Sequence, residues 1–194
     1  MEKEGNVFVI LGASGSGKTT LCEAIYNSIC GIKKIVYYTT REKRVGEWDG
    51  EDYIFISLED FEYLKSTGKI KYFYLCHENY YGIPDEIDMI IQNGKSVILG
   101  ISRKLLPKIY EDYSKVNLIY VDVTKEESEK RMKNRDSNIK EKDFLNRTEK
   151  LDDMREWAKN NLSKIDLYID NTLSIKEAEK KIKDYINERM TVNE

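Results

Sequence analysis

Short apolar runs alternate along the chain with stretches whose apolar residues recur at helical spacing. The runs Val7 to Leu11, Ile35 to Tyr38, Tyr53 to Ile56, Lys71 to Leu75, Ser96 to Ile101, Asn117 to Val123 and Leu167 to Ile169 predict strands. Between them, segments such as Pro84 to Gln92 and Lys125 to Arg135 predict helices. Strand and helix in alternation imply an α/β fold, a parallel sheet covered on both faces. The last stretch, SIKEAEKKIKDYINERM, puts Ile175, Ala178, Ile182, Tyr185 and Ile186 on one face, as expected of a helix that packs and carries no chemistry.

Composition narrows this picture in a few places. A length of 194 residues suffices for one well-buried domain with a small inserted lobe. A formal net charge of -3 lacks the basic face that nonspecific nucleic-acid binding needs, so no nucleic-acid partner is expected. No apolar run approaches the roughly 20 residues of a membrane span, and the opening MEKEGN is acidic where a signal peptide would be basic. The expectation is a soluble, cytoplasmic protein with no membrane partner, monomeric or homodimeric. Cys22, Cys30 and Cys76 lack metal-ligand spacing and lie in apolar segments, which predicts buried thiols. His77 is the single histidine, which argues against a histidine triad or a zinc site.

The chemistry begins where the first strand ends. GASGSGKT, from Gly12 through Ala13, Ser14, Gly15, Ser16, Gly17 and Lys18 to Thr19, fits the pattern of a phosphate-binding loop, with Thr20 continuing into a helix. Glycines let consecutive backbone N–H groups converge on phosphate oxygens, and the helix that follows adds the positive end of its dipole. Lys18 would neutralise the β and γ phosphates of ATP, and the Thr19 hydroxyl would hold Mg2+. This makes the fold a P-loop NTPase-type parallel sheet flanked by helices. No strong magnesium-binding aspartate closes a strand: Asp122 falls inside LIYVDV.

A second stretch, YYTTREKRVGEWDGEDYIFIS, speaks to the acceptor. Arg41 and Arg44 follow a strand and precede a loop with Glu47 and Tyr53. Guanidinium forks at the carboxyl end of a strand suit a phosphate dianion, and a tyrosine hydroxyl adds a neutral donor. The competing reading pairs Arg41 and Arg44 with Glu42, Glu47, Asp49 or Glu51 on a solvated loop. Both readings stand at this level.

GASGSGKTTL, TTREKRVGEWDGEDYIF, NYYG and RMKNRDSN occur in the order and near the spacing of guanylate kinases, so from about Asn6 to Met190 the chain resembles that family. The resemblance implies one domain, with a core of residues 1–34, 95–124 and 160–194, a small acceptor-binding lobe at about 35–94 and a helical lid at about 125–159. It implies that Arg41, Arg44, Tyr53 and Tyr81 grip the phosphate of GMP. It also implies that Arg131, Arg135 and Arg147 belong to a lid that closes over ATP and stabilises the transferring phosphoryl group. Arg155 joins that charged region, for which a solvated helical face is the competing reading. The polar segment RDSNIKEKD suits a hinge.

The chain departs from the family where guanine is read. At those positions it carries Tyr72, Ile83, Gly100 and Ser102. Isoleucine offers no hydrogen bond and tyrosine is no anionic acceptor, so the reading predicts relaxed or altered base specificity with the phosphate grip retained. Tyr72 is expected to face the acceptor. YYGIPDEIDMIIQNGKSVILGISRKLLPKI is also similar to part of the ribose 1,5-bisphosphate phosphokinases, with Ser102 and Arg103 carried over. The sequence thus implies an ATP-dependent phosphotransferase acting on a phosphorylated small molecule, a nucleoside monophosphate or a ribose bisphosphate. A noncatalytic binding module and a switch ATPase are the rival classes, and the intact Lys18 and Thr19 weigh against the first.

Overall fold

A computed structural model describes residues 4–135, 141–172 and 174–191, with the side chains of Arg135, Lys142 and Asp143 outside the description. The strands in chain order are β1 (Val7–Leu11), β2 (Ile32–Lys33), β3 (Tyr37–Thr39), β4 (Tyr53–Phe55), β5 (Ile70–Cys76), β6 (Asn79–Pro84), β7 (Ser96–Gly100), β8 (Val116–Asp122) and β9 (Leu167–Asp170). The α-helices are α1 (Lys18–Tyr26), α2 (Leu58–Ser66), α3 (Glu86–Gln92), α4 (Leu106–Asp112), α5 (Lys125–Arg135), α6 (Glu141–Asn160) and α7 (Ile175–Thr191). These elements fall into two compact units. One contains Lys33–Val97 and Ser102–Lys115 with the residues up to Val7, and the other contains Phe8–Ile32, Ile98–Ile101 and the chain from Val116 on.

The second unit is built on a five-stranded sheet of order β2-β7-β1-β8-β9. The fold is α/β, a parallel sheet flanked by helices. β8 and β9 pair parallel from Ile119↔Leu167 to Asp122↔Asp170. Alternation along the strands sends Phe8, Ile10, Ile98, Ile119, Val121 and Ile169 to one face, where they pack on Leu21, Cys22 and Ile25 of α1 and Ala178, Ile182 and Ile186 of α7. Tyr185 joins this cluster, whereas Ile175, placed on the same face by the sequence pattern, begins α7 and is 37 % exposed. Val9, Leu11, Leu99 and Tyr120, on alternate positions, are buried as well, the signature of a sheet covered on both sides.

The first unit holds a four-stranded sheet of order β4-β3-β6-β5. Its pairing is mixed where the strand-helix alternation predicted only parallel neighbours for the main sheet: β3 and β4 pair parallel, but β6 runs antiparallel to both β3 and β5. The sequence reading passed over β6 because Pro84 resembled a helix start, whereas Pro84 closes the strand opposite Ile70 and α3 begins at Glu86. The preceding Gly82 is needed for packing, since a Cβ there would come within 3.0 Å of Ile70 and Phe61. Phe61 is fully buried in α2 and its ring lies 5.3 Å from that of Tyr80, so α2 covers one face of this sheet. Ser57 caps α2 by accepting the Asp60 N–H at 3.0 Å. The cysteines do not behave alike. Cys22 is buried and its thiol pKa is pushed up to about 12 by burial, Cys76 is half-buried, and Cys30, expected to be buried, lies exposed after α1.

Candidate active site

In the second unit, β1 runs into Gly12 and α1 starts at Lys18, so the glycine-rich loop occupies the strand-to-helix turn its chemistry requires. Gly12, Gly15 and Gly17 have φ of 158°, 74° and 92°. The last two lie in the left-handed region that favours glycine. Space forbids side chains too: a Cβ on Gly12 would lie 2.4 Å from the Val121 carbonyl, on Gly15 2.8 Å from the Ser128 carbonyl, and on Gly17 2.5 Å from Asn171 Nδ2. Lys18 Nζ donates to the carbonyls of Gly12 at 2.5 Å and Ala13 at 2.8 Å. Ser16 Oγ is buried with no hydrogen-bond partner. A cradle without side chains, a lysine at its mouth and a helix N-terminus fit the phosphates of ATP.

Two residues that the sequence left out, Ser128 on α5 and Asn171 just after β9, lie beside this loop and, like Arg131 on α5, each donate to one of its carbonyls. Asn171 follows the carboxyl end of a strand, the place where α/β sheets bind ligands, and that position is the one signal that could have found it. Arg131, expected in the lid, also donates to the carbonyls of Asn171 at 2.8 Å and Thr172 at 3.3 Å and pairs with Glu127 at 2.9 Å. Arg155 pairs with Asp122, its Nε 3.1 Å from Oδ1 and its Nη2 3.2 Å from Oδ2, and the Tyr168 hydroxyl donates to the same carboxylate at 2.8 Å. Arg147 lies half-buried on α6 with its Nε buried and without a hydrogen bond. The side chain of Arg135 and residues 136–140 of the expected hinge lie outside the described residues. Thr19 and Thr20 are exposed on the first turn of α1. No group of three metal-ligating His, Cys, Asp or Glu occurs among the described residues.

In the first unit the two arginines are treated differently. Arg41 follows β3, and its backbone N–H donates to Thr39 Oγ1 at 3.3 Å. Its guanidinium forms a fork on Glu47, Nη1 to Oε2 at 2.9 Å and Nη2 to Oε1 at 2.8 Å, and Nη1 also reaches the Glu42 carbonyl at 2.7 Å. The Tyr53 and Phe55 rings flank it at 5.2 and 5.5 Å. Glu47 accepts in addition the Arg44 N–H at 2.8 Å, while the Arg44 guanidinium is 3.9 Å away and 38 % exposed. The two readings of this stretch are thus compatible. Arg41 is paired, but the pair is mostly withdrawn from solvent, with side chains 9 % and 19 % exposed, and the more exposed Arg44 is left presenting charge. Partial burial works to raise the Glu47 carboxyl pKa, but the Arg41 hydrogen bonds, the Arg44 amide and both guanidiniums together hold it below the ordinary range. Burial pushes the Tyr53 hydroxyl up to about 12, so it is a neutral donor at neutral pH.

Cross-strand register sets what lies beside this pair. Tyr37↔Tyr53, Thr39↔Tyr81, Tyr74↔Tyr81 and Tyr72↔Ile83 are partners, so these side chains share the face opposite α2. Tyr81 meets Tyr53 edge-on at 5.9 Å and stacks on Tyr74 at 5.3 Å. Tyr72 is 1 % exposed and its hydroxyl donates to Asp112 Oδ2 at 2.5 Å. Lys71 pairs with Asp88 and lies 3.7 Å from Asp112, and the Tyr113 hydroxyl donates to Asp88 at 2.7 Å. Burial and the Asp112 carboxylate push the Tyr72 hydroxyl far above its ordinary value. Ile83 is fully buried. Ser102 accepts the Lys104 N–H at 3.4 Å, capping the short 3-10 turn Arg103–Leu105 on which the half-buried Arg103 sits.

The sequence model of the guanylate kinase family matches residues 4–189. The guanylate kinase of Fusobacterium nucleatum is 34 % identical over 139 residues, covering 71 % of this chain and 75 % of that protein. The guanylate kinase of Ehrlichia ruminantium is 32 % identical over 150 residues, covering 75 % and 70 %. The crystal structure of guanylate kinase from Anaplasma phagocytophilum superposes with a TM-score of 0.74 at 24 % identity, covering 97 % of this chain and 88 % of that one, which supports the fold.

Proposed function

The chain belongs to the guanylate kinase family and is an ATP-dependent kinase with a phosphate-bearing acceptor, and we propose that this acceptor is a nucleoside monophosphate whose base is read weakly. The observation that carries the proposal is the Arg41–Glu47 fork, which fixes one guanidinium between Tyr53 and Phe55 and leaves the Arg44 charge for a dianion. Arg41, Arg44, Tyr53 and Tyr81 hold the acceptor phosphate, with Glu47 as the residue that orients Arg41. The names of the relatives make GMP the first acceptor to test.

Weak base reading follows from the same sheet face. The hydroxyl of Tyr72 is engaged by Asp112 and Ile83 is apolar, so neither supplies the donor and acceptor pair that would select a purine edge. ATP binds at Gly12–Thr20 with Mg2+ at Thr19, and the metal's contribution is to neutralise charge on the phosphates. Lys18 leaves the loop carbonyls for the β and γ phosphates, and Arg135 and Arg147 neutralise the transferring group. Transfer needs no protein base, because an acceptor phosphate is largely ionised near neutral pH.

The same closed face at Tyr72 and Ile83 also suits an acceptor without a base, such as ribose 1,5-bisphosphate. ADP release from MgATP decides between them, measured with GMP, dGMP, AMP, CMP, UMP, dTMP and ribose 1,5-bisphosphate. Turnover of several monophosphates within about ten-fold of each other in kcat/KM is the expected result, since one lost hydrogen bond is worth about that much. Turnover of the bisphosphate alone would overturn the nucleotide acceptor.

A further inference from the structure

The carbonyl groups of the phosphate loop are satisfied in an unusual order. Those of Gly12 and Ala13 take Lys18 Nζ. The next three point away from the loop and are met by side chains from distant parts of the same unit. Ser128 Oγ donates to Ser14 at 2.8 Å, Arg131 Nη1 to Gly15 at 3.3 Å and Asn171 Nδ2 to Ser16 at 2.8 Å. In a trans peptide the carbonyl of one residue and the N–H of the next point in opposite directions. Pulling the carbonyls of Ser14 and Ser16 outward therefore turns the N–H groups of Gly15 and Gly17 to the other side, where phosphate oxygens bind, while the Ser16 N–H, next to the Gly15 carbonyl, donates to the Ala13 carbonyl at 3.3 Å.

The arrangement is rigid. Ser128 and Arg131 are three apart and share a face of α5. Glu127, one turn before Arg131, takes its Nε at 2.9 Å, and the carbonyls of Asn171 and Thr172 take Nη2. One guanidinium thus ties α5, the glycine loop and the turn after β9 together. The side chains press so close that no Cβ fits at Gly15 or Gly17, so these glycines serve the backing as well as the ligand.

We infer that Ser128, Arg131 and Asn171 are positioning residues that preorganise the nucleotide site, acting on the phosphate loop from behind. Arg131 in this role is a strut: four of its five N–H groups are already engaged by Glu127, Gly15, Asn171 and Thr172. The inference rests on the phosphate loop being the ATP site. A strut and a transition-state arginine differ in kinetics. Loss of a strut weakens binding of every phosphate chain, whereas loss of an arginine that acts only in the transition state lowers kcat and leaves binding unchanged.

The test is calorimetric titration of the full-length protein with MgADP and with tripolyphosphate, which has no base or sugar, alongside kcat for the best acceptor. Arg131→Ala is expected to raise both dissociation constants about ten-fold, the equivalent of one lost hydrogen bond of about 1.4 kcal/mol, with kcat changed by less than about three-fold. Arg131→Lys, which can reach one of the carbonyls, recovers part of the loss. Ser128→Ala, a smaller change, raises both constants about three-fold and keeps the test informative should Arg131→Ala fail to fold. A fall in kcat of a hundred-fold or more with unchanged dissociation constants would overturn the inference, as would unchanged values throughout. Lys18→Met is the separate control: if it leaves MgADP and tripolyphosphate binding intact, the ATP-site assignment itself fails.

Discussion

Removing Glu47 separates a buried, organising ion pair from a decorative one. Arg41 is 9 % exposed and Glu47 19 %, the geometry is a two-point fork, and the Arg41 Nε already lacks a hydrogen bond. Deleting one partner of a fully buried pair costs about 3–5 kcal/mol, and an exposed pair is worth about 0–1 kcal/mol. This pair sits between those limits, so Glu47→Ala is expected to lower the unfolding free energy by about 2–3 kcal/mol. The acceptor KM should rise about ten-fold although a negative charge has left the site, because an unanchored Arg41 loses more by disorder than it gains in field. Urea unfolding of Glu47→Ala, Arg41→Ala and the double variant closes a cycle whose coupling should be about 2 kcal/mol. Coupling below about 0.5 kcal/mol would refute the reasoning and return the pair to a solvated loop. The pH dependence has a fixed sign. The carboxyl pKa of Glu47 is lowered by folding, so its contribution is complete above the unfolded value of about 4.3 and is lost as the pH falls through the depressed folded one. The cycle repeated in acid should therefore collapse.

Other expectations follow from single positions. Replacing Tyr72 with Glu and Ile83 with Ser should improve kcat/KM for GMP relative to the other monophosphates, and an unchanged ratio would mean that the base lies elsewhere. Gly17→Ala should abolish MgADP binding in calorimetry, since a left-handed φ of 92° and an approach of 2.5 Å to Asn171 act together; retained affinity would show that the turn yields. The two-residue turn of the β5–β6 hairpin holds His77 at φ 49° and Glu78 at φ 63°, conformations that cost a residue with a side chain about 1–2 kcal/mol. The double variant His77→Asn, Glu78→Gly should thus raise the unfolding free energy by about 1 kcal/mol, read by the same urea titration. A loss of stability there would mean that the native side chains make contacts worth more than the strain.

What the sequence revealed depended on how local the determinants were. The phosphate loop was legible because one continuous stretch supplies its strand, glycines, lysine and helix start. Strand cores such as Val7–Leu11 and the helix Lys125–Arg135 were read with their true bounds because their periodicity is complete within the segment. β6 was missed because the single cue of Pro84 competes with a short strand broken by glycine. The mixed pairing around it cannot be deduced from any one run of residues, since β3 and β6 are joined by register and not by pattern. The acceptor arginines were visible, but whether they were paired was not, because the answer lies in burial. Least legible were the contacts made across long separations: Ser128 reaches Ser14 across 114 residues, Asn171 reaches Ser16 across 155, and Tyr72 reaches Asp112 across 40. Nothing near Ser128 or Asp112 in the sequence marks either as a partner.

The backing of the glycine loop has a consequence for synthesis. The loop leaves the ribosome well before three of the groups that shape it, Ser128, Arg131 and Asn171, the last of these 155 residues after its partner Ser16. At elongation rates of about 5–20 residues per second, the motif emerges roughly eight to thirty seconds before its last support. A nascent chain stalled short of Asn171 would therefore carry the whole motif and bind nucleotide poorly, so the kinase becomes competent only once Asn171 has been made.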